Sequence, residues 1–138
     1  AGVTGKVIAG THSPASTQRV RDLGLADVVL SLDATKAVAT MEAIAAVTNG
    51  KMADLVINCV NIPGTEMGSI LAAKDGGVVY FFSMATSFTA AALGAEGVGK
   101  EVTMIIGNGY TEGHAEIALE VLRENPVLYR FFMDNYVK

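Results

Sequence analysis

Five short runs of β-branched and other apolar residues punctuate the 138-residue chain: 6–9 (KVIA), 27–32 (DVVLSL), 54–60 (DLVINCV), 78–82 (VVYFF) and 102–106 (VTMII). Segments with helical spacing or helix-start signals separate them. Strands that alternate with helices over short connections run parallel, because each helix returns the chain to the same end of the sheet. The run 54–60 is apolar apart from Asp54 and Asn58, which suits a strand buried on both faces. The pattern predicts one α/β domain with a doubly wound parallel sheet, and 138 residues is an ordinary size for a single domain.

Local chemistry marks the helix boundaries. Ser13 before Pro14 is a helix start: the hydroxyl accepts from an orphan N–H, and proline at the first helical position gives up only an unpaired donor. That helix carries Val20 and Leu23 and stops at Gly24. Asp33 is expected to cap a second helix, holding Ala37, Met41, Ile44 and Ala45, as far as Asn49-Gly50. After Pro63-Gly64, a helix with Met67, Ile70 and Leu71 is expected to end at Asp75-Gly76-Gly77. Residues 83–99 show no clear period and read as a small-residue loop, its glycine-rich part at 94–99 flexible. A last helix is expected from near Thr111 through Ile117, Val121 and Leu122 to Asn125-Pro126, and the aromatic tail 127–137 forms one more short helix.

Composition narrows the classes. Hydrophobic residues make up 51% and charged residues 17%, which excludes a disordered chain. A net charge of −4 argues against nucleic acid and anionic membranes as partners, since both select basic patches. No apolar run reaches the roughly 18 residues of a membrane span, and AGVTGKVIAG has neither the charged nor the apolar region of a signal peptide. One cysteine forms neither an internal disulfide nor a cysteine-rich zinc site, so a cytoplasmic setting and no metal are expected.

In open parallel sheets, ligands bind beyond the carboxyl ends of the strands. The residues following the runs are Gly10-Thr11-His12-Ser13, Cys59-Val60-Asn61, Ser83-Met84-Ala85-Thr86 and Gly107-Asn108-Gly109. Nearly all are small or polar, so backbone can approach a flat or phosphorylated ligand. Any one of these loops also fits ordinary turn chemistry; the four together point to a site. No G-x-G-x-x-G joins a strand to a helix, although that is the usual pyrophosphate-binding element. Cys59 reads as a buried small hydrophobe, His114 as a surface or capping residue, Asp54 and Glu66 as strand-flanking and first-turn charges, and Tyr80, Phe81 and Phe82 as core or interface.

The order KVIAGTHS, RVRDLGLADVVLSLD, KMADLVINCV, DGGVVYFFS resembles the nucleotide-binding domain of the medium-chain dehydrogenases/reductases, from that domain's second strand onward and over nearly the whole chain. The strings INCVNIPGTEMGSILAAKDGGVVYFFSMATSF and VTMIIGNGYTEGHAEIAL are similar, more specifically, to amine-oxidising dehydrogenases of bacterial lysine fermentation. The resemblance implies a Rossmann-like fold lacking its first strand and glycine-rich turn. Residues 1–138 are then part of a dinucleotide-binding domain, Ala1 to Gly5 being the loop before its second strand, and the catalytic domain is absent from this chain. The sheet surface left bare is expected to be covered by the remainder of the same enzyme or by self-association.

NAD or NADP is the implied cofactor. In this family an acidic residue after the second strand favours NAD, by accepting from both ribose hydroxyls and repelling a 2′-phosphate. Here Thr11, His12 and Ser13 stand there, with Arg19 further along the helix and no carboxylate, so both cofactors are expected to be accepted. Cys59, Val60 and Asn61, then Ser83 and Met84, then Ile106 and Gly107 would flank the nicotinamide half. The implied reaction is oxidative deamination of a small diamino acid, 3,5-diaminohexanoate, to 5-amino-3-oxohexanoate with release of ammonia. No catalytic residue is assigned, because no cluster suits a base or a group recognising the substrate. A homo-oligomer joined through the fifth strand is also implied. Two other readings stay open: another medium-chain oxidoreductase, acting on a quinone or an alcohol, and a non-catalytic nucleotide-binding or dimerisation module.

Overall fold

The computed structural model describes residues 5–107 and 111–137. They fall into two compact units, Ala1–Asn108 and Gly109–Lys138. The turn residues Asn108 and Gly109, and most of the expected loop at residues 1–5, lie outside the described residues.

The first unit alternates strand and helix: β1 Ile8–Thr11, α1 Pro14–Leu23, β2 Val28–Ser31, α2 Ala37–Thr48, β3 Ala53–Asn58, α3 Glu66–Ala72, β4 Ala73–Phe81, α4 Phe88–Gly97 and β5 Val102–Ile106. β1 and β2 form one parallel ladder and β3-β4-β5 another. Side chains alternate across a strand, which locates the helices. Thr11 Oγ1 meets Thr17 Oγ1 at 2.6 Å, so α1 lies on the Ala9/Thr11 face of β1. Ile8 and Gly10 point to the other face and share a cavity with Thr40 and Ile44 of α2. α2, α3 and α4 pack side by side in one layer. Helices thus lie on both faces of the first ladder, in the manner of a doubly wound sheet, whereas among the described residues of this unit the second ladder is covered on one face, by α3 and α4. The core is the seam between α3–α4 and the second ladder, where Ile70, Val79, Phe81 and Ala91 are buried.

α1 is built as its sequence announces. Ser13 Oγ accepts from Ser16 N and Ser16 Oγ from Ser13 N, both at 3.1 Å, Pro14 takes the first helical position, and Gly24 ends the helix at φ 64°. Such a cap contributes about 1 kcal/mol. Asp33, by contrast, does not cap α2. Its Oδ1 accepts from Thr35 N at 3.0 Å and Thr35 Oγ1 at 2.6 Å, folding an Asx turn that delays the helix to Ala37 with Lys36 at the cap.

Three further expectations are corrected. Residues 83–99 are not a loop: Ser87 caps α4, and Ala91, Gly94 and Ala95 are its buried stripe. The small side chains that hide the period are what let α4 lie close to α3; a Cβ on Gly94 would stand 3.0 Å from Met67 Cε. Gly76-Gly77 does not stop α3, which ends at Ala72; the pair lies inside β4, where register slips so that Ala53 pairs Ala73 and Leu55 pairs Val78. β3 is not buried on both faces either. Val56 and Asn58 turn toward the helices, while Leu55 and Ile57 are 54% and 57% exposed.

In the second unit, α5 spans His114–Glu124 and α6 Pro126–Tyr136. Asn125 Oδ1 accepts from Leu128 N at 2.9 Å, so Asn125-Pro126 both stops one helix and starts the next. Among the described residues, no helix is long and apolar enough to cross a membrane.

Candidate functional site

Contacts at both ends of β1 show how the two ladders lie. Lys6, just before β1, donates from Nζ to Val47 O at 3.0 Å, close to where α2 hands over to β3. At the other end Gly10 lies against Leu32, Gly68 against the carbonyl of Ala34, and Asn58 reaches Ser69. β1 and β3 therefore point the same way, and their carboxyl ends share one edge. Between them, among the described residues, no ladder forms. A groove of about 620 Å³ takes its place, walled by Ile8 and Gly10 on one side and Leu55 and Ile57 on the other, with Thr40 and Ile44 also lining it.

Register places Asn58, Phe81 and Ile106 abreast, so Cys59, Phe82 and Gly107 leave the second ladder at one level. At the end of β1, Thr11 spends its hydroxyl inward on Thr17 Oγ1 and on Leu30 O at 3.3 Å, and Ser13 spends its own on the α1 cap. His12 is exposed between them; Arg19 is exposed in the second turn of α1. Cys59 is exposed, which corrects its reading as a buried hydrophobe. It follows a residue that turns inward, and the next residue on extended backbone turns outward. Val60 lines the groove, and its N–H donates to Asn58 Oδ1 at 2.9 Å. Asn61 is exposed, Met84 is 77% exposed, and Ser83 Oγ accepts from Ala85 N at 3.1 Å. Ile106 is half-exposed; at Gly107 any Cβ would collide with the Tyr80 ring, 2.8 Å from Cε2. Thr11, His12 and Ser13 thus gather beside the groove at one corner. Cys59, Val60 and Asn61 follow β3 across it, with Ser83, Met84, Ile106 and Gly107 after the next two strands.

Residues that sequence reasoning passed over hold these loops. Asn58, 4% exposed, donates from Nδ2 to Thr65 Oγ1 and Ser69 Oγ, both at 2.9 Å. Glu66, read as a first-turn charge, is indeed in the first turn of α3 but is 4% exposed and accepts from Ser87 N at 2.7 Å. Asn58 carried one signal, as the polar residue inside an apolar run; Glu66 carried none, because its partner is 21 positions away.

Two carboxyls are shifted. The hydroxyl and then the amide of Thr35 hold Asp33 below the usual carboxylate range, with His12 adding a smaller lowering. The Leu32 amide donates to Thr11 O at 2.8 Å, so Asp33 follows β2 alongside the residues that follow β1, and the carboxylate on this side comes from the β2 end. Asp54 is lowered by its bond and ion pair with Lys74, at the amino end of β3 and away from this edge.

A nicotinamide dinucleotide fits this edge in part. The exposed His12 and the backbone around it suit an adenosine end, and Gly107 offers bare backbone where a side chain has no room. The middle is unfilled: the groove opens between β1 and β3, and no described residue supplies a glycine-rich turn there.

No family model matches the chain. Over 136 residues, 99% of its length, it is 51% identical to a protein of Acetoanaerobium sticklandii named L-erythro-3,5-diaminohexanoate dehydrogenase. The similarity is to part of that dehydrogenase. A Fusobacterium nucleatum protein of the same name is 50% identical over 139 residues. The chain spans 40% and 39% of the length of these two dehydrogenases. The crystal structure of AibC superposes with a TM-score of 0.62 at 19% identity, over 86% of this chain and 34% of that one, and bears out the Rossmann-like fold.

Proposed function

We propose that this chain is the cofactor-binding part of an NAD(P)-dependent dehydrogenase that oxidatively deaminates 3,5-diaminohexanoate to 5-amino-3-oxohexanoate. The observation that carries the reading is the 51% identity, along 99% of the chain, to a protein named for that substrate. A bound nicotinamide cofactor would supply the hydride acceptor for oxidation at the amine-bearing carbon. Water then adds to the substrate imine and ammonia leaves, while the excess proton passes to solvent. The chain's own residues bind and orient. His12, Arg19 and the backbone around Thr11 and Ser13 meet the adenosine half. Cys59, Val60, Asn61, Ser83, Met84, Ile106 and Gly107 flank the nicotinamide half. The base and the groups that grip the diamino acid belong to the part of the protein outside residues 1–138. The lack of a carboxylate at 10–13 supports use of NADP beside NAD, and Asp33 at the β2 end tempers it.

In the same reading, one further parallel strand, from outside these residues, fills the groove between β1 and β3. Two strand edges that are unpaired among the described residues and run in one direction, with a cavity between them, support it. A cytoplasmic setting and assembly through the free edge of β5 belong to the reading as well; Cys59, the one cysteine, has no internal partner for a disulfide.

Full-length protein supplied with L-erythro-3,5-diaminohexanoate and NAD or NADP should reduce the nicotinamide and release one ammonia per hydride. Turnover of a quinone or a simple alcohol, with none of the diamino acid, would overturn the assignment.

A further inference from the structure

α1 and α4 start alike but are finished differently. In α1 the N-cap amide of Ser13 is satisfied from within, by Ser16 three residues on. α4 has Ala90 at the equivalent position, which offers no acceptor; Ser87 Oγ still accepts from Ala90 N at 3.2 Å. The Ser87 amide donates instead to Glu66 Oε1 at 2.7 Å, across 21 residues. The missing half of a capping box is thus supplied by the first residue of another helix.

Glu66 is itself tied to the loop after β3. Its neighbour Thr65, 3% exposed, receives Asn58 Nδ2, and Asn58 Oδ1 receives the Val60 amide. A polar strap with a buried centre therefore runs from Val60 N through the hydrogen bonds of Asn58 to Thr65, along the chain to Glu66, and by hydrogen bond to Ser87 N. It joins the loops that leave β3 and β4, the two on which Cys59, Val60, Asn61, Ser83 and Met84 sit. Burying a carboxyl group without partners costs several kcal/mol, and an apolar side chain would pack there at no such cost. A hydrogen-bonded acceptor instead fixes distance and direction.

We propose that Glu66 is a positioning residue: it pins the 82–87 loop against the 59–65 loop and so sets the width of the nicotinamide side of the cleft. This rests on the dinucleotide reading above. Two variants in the full-length protein test it. Glu66→Met conserves volume and removes the acceptor; Glu66→Gln keeps an acceptor oxygen. Glu66→Met should speed amide exchange across residues 83–88 and lower kcat/KM for NAD on the order of tenfold or more, as displaced walls do. Affinity for ADP-ribose, read by calorimetry, should stay within about twofold if the far corner, after β1, is untouched. Glu66→Gln should restore both exchange and kcat/KM. Equal losses of NAD and ADP-ribose binding in Glu66→Met, or unchanged exchange at 83–88, would overturn the proposal. Failure of the wild-type protein to bind NAD would instead sink the dinucleotide reading, and the exchange comparison would still decide the role of Glu66.

Discussion

Glycine-to-alanine changes in helices usually gain stability, about 1 kcal/mol from backbone entropy alone, so one that loses stability exposes a specific contact. Gly68 sits inside α3 where that helix passes the turn after β2. A Cβ built there would lie 2.7 Å from the backbone oxygen of Ala34 and 3.6 Å from Thr40 Oγ1. The oxygen cannot swing aside as a side chain would; it belongs to the Asx turn fastened by Asp33 and Thr35. Overpacking costs about 1–3 kcal/mol, and contact with unyielding backbone puts this case at about 2–3, so after an entropy gain of about 1 kcal/mol Gly68→Ala should come out destabilising by about 1–2 kcal/mol. Two other helical glycines calibrate the number. Gly97, at the end of α4, has nothing within 4 Å of its Cβ direction, and Gly97→Ala should stabilise by about 0.5 kcal/mol. Gly94→Ala would meet Met67 Cε at 3.0 Å, the far end of a flexible side chain that can move, and should fall between the two. Urea unfolding of the full-length protein and the three variants, compared by midpoint at constant slope, gives the ranking. If Gly68→Ala proves as stable as Gly97→Ala, then α3 does not approach the Ala34 turn as closely as described.

The Asp33 carboxyl, held low by Thr35, should titrate below an ordinary aspartate when followed by the NMR shift of its side-chain carbon. Thr35→Val should raise the midpoint part of the way, because the amide of residue 35 still donates. A folded-state pKa below the unfolded one means this contribution is present above the ordinary carboxylate pKa and fades as pH falls through the depressed one; an unmoved midpoint would refute the role of the hydroxyl. Assembly through β5 should place its free edge, with Ile105 and Ile106 half-exposed, against a second copy. Sedimentation of full-length protein should show a dimer or larger, and Ile105→Pro, which removes a donor in mid-strand, should weaken it; a monomer in the unaltered protein would refute the idea.

What could be foreseen depended on how local the deciding contact was. α1 was legible because its start and stop are settled within 12 positions, by Ser13, Pro14, Ser16 and Gly24. β5 and α6 were legible for the same kind of reason. α4 was not, since alanine and glycine build its buried stripe and leave no apolar period to count. Asp33 had two local fates, helix cap and Asx turn, and the hydroxyl of Thr35 tips it to the turn by adding a second donor. At the site, the positions after each strand were predictable from topology, yet their exposure was not. Cys59 turns out because Asn58 turns in, and Asn58 turns in to reach Thr65 and Ser69, contacts that exist only once α3 has docked.

β3 carries the most instructive mismatch. Its sequence is that of a strand covered on both faces, and its structure leaves Leu55 and Ile57 more than half open, beside a groove that no described strand enters. Fully burying an aliphatic side chain contributes about 1.5–3 kcal/mol, so these two residues alone leave roughly 2–3 kcal/mol unrealised. Among the described residues, the backbone edges of β1 and β3 that face the groove pair with no strand, and they present donors and acceptors to the same space. An inserted parallel strand would pair both edges and bring apolar side chains toward Leu55 and Ile57. Loose association of some other surface would cover the side chains and leave the amides unpaired. The over-apolar sequence of β3 is therefore explained by a neighbour in the sheet more economically than by any partner that merely touches it. That neighbour would also bring its carboxyl end to the gap between Gly10 and Val60, where a cofactor's middle needs support.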